Sequence, residues 1–260
     1  MNVFLLTDVE GLPGIDSIGC MDRESEAYAR TRRQLTDTVN LAASVCRDRG
    51  AENIWYLDGH AGGGNILADE VVPYARQVDP AGWQELIRTG QIDCQLELGC
   101  HARAGTVGGF LDHTFNSRRY FCLTVNGREF SELAVHAAFC GAFCVPVVFC
   151  CGDETACRQA GEYVPGIITA PIKQASERNV CTLYDQPFER IASGIRQALE
   201  AYKTIPPMRL SLPAEIVLTY YRTDYCEEAF AQAGPDVSRV DARTLKKTVT
   251  AIHSYDDLRF

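Results

Sequence analysis

Short apolar runs alternate with longer stretches in which apolar residues recur every three or four positions, so the chain reads as strands interleaved with helices. Val3-Phe4-Leu5-Leu6 is a buried-strand run that stops at Asp8-Val9-Glu10-Gly11. After a Gly/Pro loop, Glu24 to Arg49 carries Tyr28, Leu35, Val39, Ala42 and Cys46 at helical spacing, and Gly50 follows as a C-cap. Ile54-Trp55-Tyr56-Leu57 reads as a second strand, halted by Asp58-Gly59-His60 and the loop Gly62-Gly63-Gly64. A strand, helix, strand order of this kind predicts parallel pairing. A helical stretch around Trp83 to Arg88 and a strand near Cys94 to Leu98, stopping at Gly99-Cys100-His101, continue the theme.

The pattern changes at Tyr120. Tyr120 to Val125 leads into Asn126-Gly127, a strong hairpin signal, so an antiparallel excursion is expected. Ser131 is placed as the N-cap of a helix through Phe139, with Glu132 in its first turn, and a strand follows from Val145 to Phe149. Beyond it the pattern predicts a strand at Ile167-Ile168-Thr169, a helix from Pro187 to Tyr202, a strand from Ile216 to Tyr220 and a C-terminal helix from about Ala242. The expected fold is α/β, a mostly parallel sheet with flanking helices plus a second, smaller α/β region. Residues 1–170 are assigned to a metal-binding catalytic region and 171–260 to the smaller one.

Composition narrows the function classes. Acidic residues outnumber basic ones, 34 to 25, and no Lys/Arg cluster is interleaved with aromatics, which argues against a nucleic-acid partner. The uncharged stretch from Ala137 to Gly152 is too short for the roughly 20 residues of a membrane span and contains Gly141 and Pro146, so it reads as a helix end, a turn and a buried strand. No signal-like segment precedes the first strand, and the expected location is the cytoplasm. The twelve cysteines are scattered through apolar runs and are expected to be reduced, buried thiols. Cys140 and Cys144 stand one helical turn apart, but no second pair completes a tetrahedral zinc set.

The chemistry gathers where strands stop. Alternation along the first strand would send Asp8 and Glu10 to one side, and His60 and His101 follow two further strands, so all four fall on the carboxyl-end rim where loops converge. Glu132 and His113 join them. Carboxylates mixed with imidazoles favour zinc over magnesium. Five ligands exceed the three that one catalytic zinc needs, which points to two ions sharing a carboxylate, with Asp8 as the natural bridge. The plainer alternative is that Asp8 and Glu10 cap a loop and His60 is an ordinary surface histidine. Arg103 and Asn126 are candidates for orienting substrate, although Arg103 also reads as a salt-bridge partner. His136 reads as packed on its helix and His253 as lying on the surface of the C-terminal one.

These motifs carry a resemblance. Asp8-Val9-Glu10-Gly11, Asp58-Gly59-His60 with Asn65, Gly99 to Thr106, Asp112-His113-Thr114, and Asn126-Gly127 followed by Glu132 stand in the order found in the D-aminopeptidase DppA family, the M55 metallopeptidases. Cys144-Val145-Pro146-Val147 and Gly152-Asp153 also resemble its segments; the likeness is close from Met1 to Gln174 and weaker beyond. It implies a two-zinc exopeptidase that acts on short peptides or amides with an N-terminal D-residue and assembles as a homo-oligomeric ring, a decamer. By that match Asp8 bridges the metals, Glu10, His60, His101 and Glu132 complete their shells, and His113 is the catalytic residue, as nucleophile or as general base. Cys100 departs from the bulkier residue expected before His101. Two other readings compete. One is a magnesium-dependent phosphatase of the haloacid dehalogenase type, suggested by Asp8, Glu10 and Gly152-Asp153, and the other is a non-catalytic metal- or peptide-binding protein.

Overall fold

The first strand, β1 (Asn2–Thr7), is joined to β2 (Asn53–Asp58) by the long helix α1 (Glu26–Asp48), and the two strands pair in parallel. The computed structural model describes all 260 residues. The chain continues through β3 (Ala75–Gln77), α2 (Pro80–Arg88), β4 (Cys94–Cys100), β5 (Tyr120–Val125), β6 (Arg128–Glu129) and α3 (Glu132–Ala142). It then runs through β7 (Val147–Asp153), α4 (Glu154–Tyr163), β8 (Ile168–Glu177), β9 (Val180–Leu183) and α5 (Pro187–Ala201). It ends with β10 (Ala214–Tyr220), α6 (Thr223–Gln232), β11 (Ser238–Asp241) and β12 (Thr244–Val249).

Seven strands form one sheet in the order β3-β2-β1-β4-β7-β8-β9, parallel except for β9, which returns antiparallel to β8. Every residue of β4 and β7 is buried, as central strands covered on both faces must be. Chain order reverses between β1 and β4, so right-handed crossovers place α1 on one face and α3 and α4 on the other. On the first face α1 packs against α5. On the second, Trp83 of α2 meets Phe139 of α3 at 5.1 Å and Tyr255 at 5.0 Å, and its indole N–H donates to the buried Gln95 (2.8 Å). Beside it Glu97 pairs with His136 at 3.2 Å, which anchors α3 to β4.

The smaller sheet is antiparallel, in the order β11-β12-β10-β5-β6. Asn126 and Gly127 both take positive φ, 51° and 74°, as the two-residue turn joining β5 to β6 requires. The boundary expected near residue 170 falls inside β8. Strands β8 and β9 continue the large sheet, and the smaller sheet takes β5 and β6 from the first 170 residues. No helix is long and apolar enough to cross a membrane.

The helix expected from Ala242 is instead strand β12, paired with β10 from Thr244 to Val249, and a short 3-10 turn at Tyr255–Leu258 follows. β-Branched Thr244, Thr248 and Val249 suit the pleated surface, and the Asp241 carboxylate accepts from the Arg243 N–H (2.7 Å) and the Thr244 hydroxyl (3.1 Å) to turn the chain into it. Longer than expected, β8 runs on through Pro171, which pairs with Gly152 of β7, and is joined by β9 on its other side from Lys173 onward.

At the rim, the chain stays hydrogen-bonded to β4 beyond the formal end of β1. The Asp8 N–H donates to Leu98 O and the Gly11 N–H to Gly99 O, both at 2.8 Å. The approach is so close that a Cβ at Gly11 would lie 2.1 Å from the Cys100 carbonyl oxygen, and one at Gly99, whose φ is +80°, would lie 2.2 Å from Asp8 O. A Gly11→Ala substitution therefore has to push two backbones apart. It is expected to destabilise the protein by about 1–3 kcal/mol or more in urea unfolding, the usual range for overpacking, whereas Gly161→Ala on α4, whose Cβ meets no atom within 4 Å, creates no such clash.

Candidate metal centre

Asp8 and Glu10 do converge, but strand alternation is not the cause. Both lie beyond the last residue of β1, in the turn fixed by the Gly11 to Gly99 hydrogen bond. The Asp8 Oδ1 accepts from the Val9 N–H (2.9 Å) and lies 3.0 Å from His60 Nδ1, while Oδ2 lies 3.2 Å from His101 Nε2. Glu10 Oε2 is 3.2 Å from the same His60 Nδ1. That ring nitrogen is aligned with Asp8, so Glu10 Oε2 is left buried without a hydrogen bond.

His60 opens a short turn, His60–Gly62, at the end of β2. The glycine loop that follows is closed by Asp58, whose carboxylate accepts from Asn65 N (2.6 Å), Asn65 Nδ2 (2.9 Å) and Ile66 N (3.3 Å). Asn65 Nδ2 also donates to His60 O (2.7 Å), and Tyr28 of α1 donates to Asn65 Oδ1 (2.6 Å). The glycines let the loop turn sharply, and Asp58 and Asn65 hold His60 at its mouth.

His101 follows β4 directly. Its Nδ1 lies 3.0 Å from Ala102 O and that of His113 lies 2.9 Å from Leu111 O, so in both rings Nδ1 carries the proton and Nε2 faces inward. The two rings stack at 3.9 Å with an 8° tilt. Glu132, the first residue of α3, brings Oε1 to 3.3 Å from His101 Nε2 and 3.7 Å from His113 Nε2. It also accepts the Phe115 N–H (2.7 Å), and the positive end of the helix suits its charge. All six residues singled out from the sequence thus meet in two groups, Asp8/Glu10/His60 and His101/His113/Glu132, with donor atoms in each group lying within 4.8 Å of one another.

The electrostatics follow from this crowding. Burial opposes charge on Asp8, yet hydrogen bonds and charge from His101 and His60 hold its carboxyl well below the usual range. Burial likewise acts against the His60 cation, but Asp8 and Glu10 overcome it and push the imidazole up to about 11. His101 is held well above its ordinary value by Asp8 and Glu132 against the same penalty, and Glu132 falls to about 2, chiefly through His101. Acceptors and inward-facing imidazole nitrogens at these distances, with one buried carboxylate oxygen orphaned, form a donor set that fits divalent cations.

Other sequence candidates lie elsewhere. Asn126 bonds Ser211 O and Glu215 N at 2.9 Å each and serves the hairpin. Arg103 is paired with Glu129 at 2.6 Å. His136 is packed against Glu97, and His253 is exposed but follows β12 in a loop, where a helix was expected. All twelve cysteines are free; Cys140 is buried and donates to Gln95, while Cys144 is exposed. Asp153, which suggested a phosphatase, uses Oδ1 to cap α4 through Thr155 N (2.8 Å) and Ala156 N (3.0 Å). Sequence reasoning gave no role to Lys173, which stands in a segment, Pro171-Ile172-Lys173, compatible with the family and is buried, donating to the Glu10 carbonyl (2.8 Å). Its one signal is a lone positive charge after an apolar run.

Comparison with known proteins agrees with this architecture. The D-aminopeptidase of Bacillus subtilis (strain 168) is 28% identical over 184 residues, covering 69% of this chain and 66% of that protein, just under two thirds of the relative's length. The solved structure of the Zn-dependent D-aminopeptidase DppA from Bacillus subtilis, described as a self-compartmentalizing protease, has the same fold. It gives a TM-score of 0.91 at 21% identity and covers 99% of this chain and 95% of that one. The family model described as D-aminopeptidase matches residues 1–257, and the chain belongs to that family, the M55 peptidases.

Proposed function

We propose that this chain is a zinc-dependent aminopeptidase that removes an N-terminal residue, of D-configuration, from short peptides or amides. One observation carries the reading: the two oxygens of Asp8 face different groups, one toward His60 and the other toward His101. Asp8, Glu10 and His60 would hold one zinc ion, and Asp8, His101 and Glu132 would hold a second. Zinc bound there would supply Lewis-acid polarisation of the scissile carbonyl and a water acidic enough to ionise near neutral pH. The relative's zinc dependence and its self-compartmentalizing assembly support the cofactor and a homo-oligomer. A ten-membered ring, by the family resemblance, and a cytoplasmic location complete the proposal.

The chain's own residues supply orientation and proton transfer. Leu111 O holds the Nδ1–H of His113 and leaves Nε2 as an acceptor directed at the centre, so this imidazole takes a proton during attack and returns it to the leaving amine. Glu132 Oε1, 3.7 Å away, stabilises the imidazolium formed in between. Stacking on His101 fixes the ring plane.

His113→Ala is expected to lower kcat by about 10²–10⁴-fold while zinc content, measured by elemental analysis, stays at the wild-type level. Undiminished hydrolysis would remove His113 from the mechanism, and lost zinc would make it a ligand. An acyl adduct on His113, trapped at acid pH and seen by mass spectrometry, would mark it as a nucleophile.

Zinc has to displace the protons that Asp8, Glu10 and Glu132 hold on His60 and His101. Calorimetric titration of chelator-treated protein in buffers of different ionisation enthalpy should show about two protons released per chain at neutral pH, with affinity falling as pH falls. Stereochemistry is tested by a matched panel of D- and L-aminoacyl amides with zinc-reconstituted protein. The expected outcome is a higher kcat/KM for the D-series, and a preference for the L-series would overturn that assignment.

A further inference from the structure

Lys173 lies fully buried in β8, level with the rim that carries the candidate ligands. Its ammonium donates to Glu10 O (2.8 Å) and Ile15 O (2.6 Å) and sits 4.7 Å from the centre of the Phe110 ring. These contacts tie down both ends of the Glu10–Ile15 turn and touch the segment leading to His113. Across the sheet its register partner is Asp153, whose Oδ2 is buried with no hydrogen-bond partner. Burial lowers the Lys173 ammonium to about 8, with Cys181, Asp153 and Glu10 acting in the opposite direction.

The three candidate acidic ligands are not held in the same way. Backbone N–H groups steer Asp8 (Val9 N, 2.9 Å) and Glu132 (Phe115 N, 2.7 Å). The buried Oε2 of Glu10 accepts no hydrogen bond, so the position of this side chain depends on where its own backbone is held. The only side-chain donor on the Glu10 carbonyl is Lys173.

We propose that Lys173 is a positioning residue for the metal centre: by gripping the Glu10 carbonyl it sets the turn that aims Glu10 at His60, with Asp153 as its buried counter-charge. The inference rests on reading the site as a zinc centre. An apolar side chain of similar length would fill the same space but leave the Glu10 carbonyl without its side-chain donor, Ile15 O with only the Cys181 thiol (3.8 Å), and Asp153 without its register-partner cation.

The test compares wild type, Lys173→Met and the double variant Lys173→Met/Asp153→Asn. Zinc affinity is measured by competition with a chromophoric chelator, alongside the melting temperature and the kcat and KM for a D-aminoacyl p-nitroanilide at limiting and excess zinc. Lys173→Met is expected to lower the melting temperature and to weaken one zinc by about 10–100-fold, as loss of a ligand's supporting contact does. The double variant should recover much of the melting temperature, because no unpaired charge stays buried, yet keep the zinc deficit. Its kcat should be low at limiting zinc and restored by excess, with KM little changed. A double variant with wild-type zinc affinity and kcat would overturn the positioning role while leaving the zinc reading intact. Wild-type protein that binds no zinc would overturn both.

Discussion

Three carboxylates, Asp8, Glu10 and Glu132, are gathered with three imidazoles at the ends of neighbouring strands, and the neighbourhood is built to make that concentration of negative charge tolerable. Burial and like charge both favour the protonated acid. The opposite holds for Asp8 and Glu132: burial raises them, and contact with the imidazoles more than compensates. Each acid lies within 3.3 Å of a ring nitrogen. The same distances that let imidazolium ions compensate the acids also bring the ligand atoms together for a cation of higher charge. Stability and chemistry therefore draw on one set of contacts.

The backbone enforces the convergence. Parallel strands end at different heights, and in an open α/β sheet the reversal of strand order between β1 and β4 opens a crevice at their carboxyl ends. Here the crevice is drawn tight by glycine. Gly11 and Gly99 let the turn after β1 lie against the end of β4, and Gly152, whose Cβ would fall 2.0 Å from Cys100 O, does the same from β7. His101 then emerges between two backbones that cannot separate. From below, the Glu97–His136 and Gln95–Cys140 contacts fix α3 to β4, so Glu132 at the helix start is held in place relative to His101.

Much of this was legible in the sequence where local and global preferences agree. The β1–α1–β2 unit, the Ser131 cap with Glu132 behind it, and the Asn126-Gly127 hairpin each carry their own signal, and each forms as expected. Four of the six site residues stood out because acids and imidazoles follow apolar runs where strands stop, Glu132 because it opens a capped helix, and His113 because it lies just downstream of His101. Failures came where a distant partner decides. The β-branched residues of Thr244–Val249 are a weak local hint that only pairing with β10 makes decisive, and β8 continues past Pro171 through its pairing with Gly152 of β7 and, from Lys173 on, with β9. Asp8 and Glu10 were brought to one side by a reason that fails, since the turn against Gly99 rather than the pleat unites them. Asn126 drew attention as a polar group near Glu132 in sequence, yet its amide is used by Ser211 and Glu215, which are far away in sequence and adjacent in the small sheet.

The asymmetry between the two stacked histidines bears on how the chemistry is divided. Both hold Nδ1–H against a backbone carbonyl, so each offers the same inward nitrogen, but their surroundings differ. His101 is the more buried, with 2% of its side chain exposed against 15% for His113, and its Nε2 lies within 3.3 Å of two carboxylates. The nitrogen of His113 has one acid, at 3.7 Å. An imidazole committed to two buried acids is suited to holding an ion, because its lone pair and geometry are fixed. One that faces the same centre with a longer, single partner and more access to solvent suits the proposed acid–base role better than a ligand's. The stacking keeps the two rings in register, so in the proposed mechanism the proton carrier would stay aligned with the ring that would hold the cation.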